Sequence, residues 1–154
     1  MTDSRQIRLT DLSEGEVVQL LTLHHEEMVA SSPPGTCHVL DLDGLKTLDI
    51  AVFAIWDGGG LAAIGALKSH GDFAEIKSMR AHPDARGTGA GRAMLEHLID
   101  HARSQGFSTV KLETGSGPMF EAALGLYRSF GFAPCAAFAG YSPGEFNQLF
   151  AIEI

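Results

Sequence analysis

The sequence holds two cysteines among its 154 residues, Cys37 and Cys135. They lie far apart in the sequence and allow one disulfide at most, too few for a small scaffold stapled by disulfides. Reduced thiols in a cytoplasmic protein are the expectation. No apolar run approaches the roughly 20 residues that cross a bilayer, and residues 1–8 are polar where a secretory signal would need an apolar core. Positive charge is also scarce: 11 Lys and Arg stand against 19 Asp and Glu, for a net charge of −8. A binder of nucleic acid or of an anionic membrane needs the opposite sign on a face, so neither partner is expected. Repeats and low-complexity tracts are missing as well. What remains is a chain with 45% hydrophobic residues and the length of one globular domain, residues 1–154.

The charge is unevenly placed. Residues 1–75 carry twelve acids and four bases, whereas residues 76–154 carry seven of each. An anionic ligand is therefore expected on the second half. The acidic first half, with Glu14, Glu16, Glu26 and Glu27, suits a cationic ligand instead.

A pass along the chain gives the order of elements. Residues 6–9 read as a first strand. Ser13 followed by Glu16 has the spacing of a capping box, and Val17, Leu21, His24 and Met28 recur at helical spacing. Pro33 and Pro34 end that helix. Residues 37–48 read as a short helix or an irregular crossover. Two apolar runs, 50–56 and 61–67, flank Asp57-Gly58-Gly59-Gly60 and read as a hairpin buried on both faces. A third strand over 73–81 stops at His82-Pro83. A helix with Met94, Leu95, Leu98, Ile99 and Ala102 on one side follows, with Gly106 as its stop. Residues 109–114 alternate as a strand. Pro118 opens a further helix carrying Met119, Ala123, Leu126 and Phe130, closed by Gly131, and residues 148–154 form the last strand. A meander followed by strand, helix, strand, helix predicts an α/β fold with a mixed, mostly antiparallel sheet, helices on both faces, and one parallel pair spanned by a helix.

The segment Arg86-Gly87-Thr88-Gly89-Ala90-Gly91-Arg92 joins a strand to a helix. Its glycines let a ligand approach the backbone, and the first helical turn offers unpaired N–H groups at the positive end of the dipole. This is an anion site in waiting, suited to a phosphate or pyrophosphate, with two arginines beside it. The spacing is neither that of a dinucleotide fold nor that of a Walker loop. Other signals point less far. His24-His25-Glu26-Glu27 lacks a second histidine at i+4, and His97 and His101, one turn apart, have no third ligand in view, so no metal is expected.

Four segments together resemble the GNAT superfamily of N-acetyltransferases. They are Glu75-Ile76-Lys77-Ser78-Met79 with Ala81-His82-Pro83, the glycine turn, Leu112-Glu113-Thr114-Gly115, and residues 123–132 ending in Tyr127-Arg128-Ser129-Phe130-Gly131-Phe132. The tail with Phe132, Pro134, Cys135, Phe138 and Tyr141 is similar to a bacterial branch of small, single-domain members. The resemblance implies an enzyme that moves an acetyl group from acetyl-CoA to an amine. It implies that the coenzyme A pyrophosphate lies on the glycine turn, from Arg86 through Gly87, Thr88, Gly89, Ala90 and Gly91 to Arg92, and that the pantetheine arm pairs with the strand at Met79, Arg80 and Ala81 as an added strand would. It also implies Tyr127 as the acid at the departing thiolate, since a phenol stays protonated at neutral pH. Glu75 is implied as the base, directly or through water. Period-two alternation places Glu75, Lys77 and Met79 on one face.

Phe120 stands where many members carry an asparagine, which removes one side-chain contact to the cofactor. His24, on the apolar stripe of the first helix, and Tyr141, in the loop with Pro143 and Gly144, are candidates to border the acceptor. The acceptor expected is a primary amine of a small molecule. A protein N-terminus or lysine, and a non-catalytic acetyl-CoA sensor, are the alternatives; a homodimer is compatible with the resemblance.

Overall fold

The computed structural model describes residues 5–142 and 144–154; Pro143 and the first four residues of the polar N-terminal stretch lie outside them. Seven strands form one sheet in the order β1-β2-β3-β4-β5-β7-β6. Strands β1 (Arg5–Leu9), β2 (Ile50–Asp57), β3 (Gly60–Ser69) and β4 (Ala74–Ala81) form an antiparallel meander. β4 then pairs in parallel with β5 (Thr109–Thr114), which pairs antiparallel with β7 (Gln148–Glu153); β6 is the two-residue Ala133–Pro134 on its outer side. Helix α1 (Gly15–Ser31) covers one face, and α2 (Ala90–Ser104) with α3 (Glu121–Phe130) covers the other.

The double burial of the hairpin follows from its unbroken apolar run. Phe53 and Ile55 join the core under α2 and α3, while Val52 and Ala54 join Val17, Leu20 and Leu21 of α1 on the opposite face. Each of the larger of these side chains contributes about 1.5–3 kcal/mol when fully buried. Met94, Leu95, Leu98, Ile99 and Ala102 are the buried stripe of α2, and Gly131 at φ +103° ends α3. The crossover over 37–48 has no regular structure, and Leu45 anchors it in the α1 core.

Three local expectations are corrected. Ser13 does not cap α1: the helix begins at Gly15 without a side-chain cap, and the Ser13 hydroxyl and amide both donate to Asp11 Oδ1. The Glu16 carboxylate instead accepts from the Leu61 amide at 3.1 Å, pinning the helix to the start of β3. Met119 is exposed, because a 3-10 turn over Pro118–Phe120 precedes α3, whose buried residues are Leu124 and Tyr127.

The third correction concerns β4. Its register against β3 slips between Ile64 and Ala66, and Ser78 takes φ +50°. One extra residue flips every side chain beyond it. Met79 therefore packs into the core beneath α2 and α3, and Arg80 reaches α1, where it pairs with Glu27 at 2.7 Å. Glu75 and Met79 do not share a face.

Opposite the bulge, Gly65 lets α2 approach β3: a Cβ there would lie 2.7 Å from Met94 Cγ and 3.0 Å from Leu98 Cδ1. Gly65→Ala overpacks this contact and is expected to lower the unfolding free energy by about 1–3 kcal/mol. The check is a lower urea midpoint at unchanged m-value.

Candidate active site

β4 and β5 form only three ladder pairs, Ala74 with Val110, Glu75 with Lys111 and Ile76 with Leu112. Beyond Ile76 the strands part. On that side the β4 backbone has no ladder partner among the described residues, and its inward-pointing amides are open to an extended ligand. The gap widens into a cleft of about 1020 Å³, walled by α1, the 36–40 segment, β4, β5, the glycine turn and α3.

The glycine turn closes one end of this cleft. Gly87 and Gly89 have φ +78° and +85°, and Gly89 is the N-cap of α2. These left-handed conformations turn the backbone so that the first helical amides face outward. The first bond back into the helix is made by the Ala93 amide to the Gly89 carbonyl. The amides of Gly87, Gly89, Ala90, Gly91 and Arg92 have no backbone partner among the described residues. Gly87, Gly89, Ala90, Gly91, Arg86 and Arg92 line the cleft. Thr88 does not: its amide and hydroxyl both donate to the Ala85 carbonyl, and its own carbonyl accepts from Arg5. That tether, from the first strand across the end of the sheet, had no signal in the sequence. The exposed amides, the lack of Cβ atoms and the two arginines fit a pyrophosphate.

Met79, Arg80 and Ala81 line the cleft along β4, and Tyr127 reaches it from α3. Tyr127 is 7% exposed, stacks edge-on against Phe132, and burial pushes its phenol up to about 12. It therefore holds its proton across the whole physiological range. Phe120 packs edge-on against Phe146. Both rings press on Gly115, where a Cβ would lie 2.4 Å from Phe146 and 2.7 Å from Phe120, so the place of a polar contact is taken by an apolar wall.

Glu75 is 2% exposed and held by three groups. His70 Nε2 lies 2.8 Å from Oε1, while the Tyr141 hydroxyl and Lys77 Nζ donate to Oε2 at 2.6 and 3.3 Å. Lys77 also donates to the Tyr141 oxygen at 2.6 Å. Three donors occupy most of the roughly four acceptor positions of a carboxylate. Tyr141 is thus spent on Glu75 and is not among the lining residues of the cleft; desolvation and the Glu75 charge push its phenol pKa up.

A second carboxylate, Glu113, lines the same end of the cleft from β5. One of its oxygens accepts from Asn147 Nδ2 at 2.9 Å, and burial raises its pKa above the usual carboxylate range. The alternation of β5, which buries Val110 and Leu112 on one face, is the signal that turns Glu113 to the other. Asn147 had none; it also donates to the Thr36 carbonyl.

The acidic residues of the first half mostly serve the fold. Glu14 pairs with Arg8, Glu16 holds the Leu61 amide and Glu26 is exposed. Of these four only Glu27 lines the cleft, and Arg80 neutralises it, holding its carboxyl below the usual range. His24 lines the cleft above Arg80, 8% exposed. His97 and His101 pack against Phe53, and no group of three or more metal-ligating side chains occurs among the described residues. No helix there is long and apolar enough to cross a membrane.

Residues 17–132 match the sequence model of the acetyltransferase (GNAT) family. The chain is 40% identical over 139 residues to the uncharacterized N-acetyltransferase YsnE of Bacillus subtilis, covering 88% of this chain and 90% of that one. It is 35% identical over 130 residues to the IAA acetyltransferase of Azospirillum brasilense, covering 82% and 83%. Its fold matches that of a GNAT acetyltransferase from Elizabethkingia anophelis solved with acetyl-CoA bound, with a TM-score of 0.74 at 15% identity over 99% and 100% of the two chains. The chain belongs to the GNAT acetyltransferase family.

Two measurements test this geometry. Gly89→Val puts a branched residue at φ +85° and disturbs the amide cradle, so the rise in melting temperature that acetyl-CoA gives the wild type is expected to vanish. The second concerns His24, whose imidazole is pushed down to about 4 by burial, with the Arg80 charge adding to it. Its folded value lies below the unfolded value of about 6.5. Its contribution is then full above pH 6.5 and lost as pH falls toward 4. Between pH 7 and 4.5 the wild type is expected to lose about 2–3 kcal/mol more than His24→Gln, read from urea titrations at both pH values.

Proposed function

We propose that this GNAT acetyltransferase acetylates the primary amine of a small molecule, with Tyr127 as the acid and Glu113 as the base. The observation that carries this reading is the single cleft between the parted strands, which must admit the thioester arm and the acceptor together within about 1020 Å³. A volume of that size suits a small amine. The family's donor, acetyl-CoA, supplies an activated acetyl thioester.

The chain's own groups divide the remaining work. The amides of Gly87 and Gly89 through Arg92 receive the pyrophosphate, and the open edge of β4 orients the arm that follows. An N–H of that edge, aimed at the thioester oxygen, stabilises the charge that develops there by a few kcal/mol. The acceptor must lose a proton before its nitrogen can attack. Glu113 suits this step because desolvation weakens its hold on the ionised form, which brings its proton affinity nearer to what general-base work needs. Glu75, already satisfied by three donors, fixes Lys77 and Tyr141 behind the acceptor instead. As the carbon–sulfur bond breaks, Tyr127 donates its proton to the thiolate. Its raised pKa guarantees that the proton is there to give.

The test is thiol release from acetyl-CoA across a panel of polyamines, amino acids, aminoglycosides and peptides. Turnover of a small amine is expected. Turnover confined to peptides would move the acceptor to the protein class, and silence throughout, with acetyl-CoA still raising the melting temperature, would leave a binding domain. With an active amine, Tyr127→Phe is expected to lower kcat by about tenfold or more while the acetyl-CoA affinity stays within about twofold. An unchanged kcat would confine Tyr127 to packing.

A further inference from the structure

Three buried polar atoms in the wall between α1 and β4 have no hydrogen-bond partner among the described residues: Arg80 Nη2, Ser78 Oγ and His24 Nδ1. All three residues line the acetyl-transfer cleft. Arg80 is 9% exposed, and among the described residues only its Nη1 is engaged, by Glu27 Oε2 at 2.7 Å. Leaving a guanidinium N–H buried without an acceptor is costly. The bulge at Ser78 puts this side chain on the face of the strand toward α1; without it the arginine would lie on the opposite face, under α2.

The chemistry of this nest narrows what completes it. A guanidinium offers five N–H donors in a planar fork and no acceptor, and its free edge matches the two oxygens of a carboxylate. The Ser78 hydroxyl can donate to the same group. His24 is neutral at physiological pH and adds a hydrogen-bonding atom without charge. Glu27 already cancels the charge of Arg80, so a dianion would meet repulsion, whereas a monoanion gains the bidentate bond with little opposition. Lys77, the other cation along this strand, is committed to Glu75 and Tyr141. Farther along the cleft, beside Glu113, the wall is acidic and suits the amine.

We propose that the acceptor is a small amine that also bears a carboxylate, held through that carboxylate by Arg80, Ser78 and His24. This assignment rests on the small-amine reading above and specifies its substrate class. It gives the Arg80 side chain an acceptor-binding task, beside any pairing that its backbone makes with the thioester arm.

The experiment compares matched acceptors: L-amino acids, β-alanine and γ-aminobutyrate against their amides and their decarboxylated amines, with acetyl-CoA and thiol release as the readout. Carboxylated amines are expected to be preferred by about tenfold or more in kcat/KM. In Arg80→Gln that preference is expected to collapse through a raised acceptor KM, with the KM for acetyl-CoA within about twofold of wild type. Ser78→Ala, a milder change that tests the same nest if the arginine variant does not fold, is expected to raise the acceptor KM about threefold. Turnover indifferent to the carboxylate, or a change in Arg80→Gln that falls on the acetyl-CoA KM, overturns this assignment and leaves the small-amine reading standing. Silence from every amine, carboxylated or not, overturns both.

Discussion

The arrangement depends on β4 and β5 staying together for three residue pairs and then separating. A parallel pair in a closed sheet would satisfy its backbone along its whole length. Here the twist and the bulge at Ser78 carry β4 away, leaving a row of peptide groups beside an opening rather than beside another strand. Backbone groups in such a place need a partner. That need is what makes the opening a binding feature and not a defect. The remaining parts then fall into position around it: α2 starts where β4 ends, so its N-terminus faces one end of the gap, and α3 lies along the far wall with Tyr127 turned inward.

The bulge does a second thing. By shifting the side-chain phase of β4 by one residue, it sends Glu75 and Lys77 and then Arg80 toward the same side, where strict alternation would have separated them. The wall facing α1 becomes polar from end to end, with Glu75, Lys77 and Arg80 in one row. The apolar members of the strand, Ala74, Ile76 and Met79, go into the core under α2 and α3. One irregular residue therefore separates a packed face from a chemical one along a strand of eight residues.

Much of this was legible in the sequence, and the rest was not for definable reasons. The hairpin, α2 and its buried stripe, and the glycine turn are local. Their periodicity and turn chemistry are complete within a dozen residues, and the structure returns them nearly unchanged. The bulge is hidden because alternation holds on either side of it, and Ser78 has no composition that marks a left-handed conformation. Glu75 and Tyr141 lie 66 residues apart, and Arg5 and Thr88 lie 83 apart. Such bonds depend on where strands end in space, which no window of sequence contains. The capping box at Ser13 and Glu16 shows the opposite error: a local pattern was present, but a competing local bond to Asp11 took the serine and a tertiary bond to Leu61 took the glutamate.

Asn147 joins three segments that are otherwise independent, with one amide on the carbonyl of Thr36 and on the carboxylate of Glu113. The irregular crossover, the end of β5 and the approach to β7 meet at that single side chain. The opposite end of the cleft is made from main-chain amides that any residue of suitable backbone shape can supply. The two ends thus differ in how they respond to substitution over evolutionary time. The main-chain end keeps its shape as long as glycine holds the left-handed positions 87 and 89, whereas the side-chain end changes its chemistry with a single replacement. A lineage built on this plan can keep one donor and exchange acceptors freely.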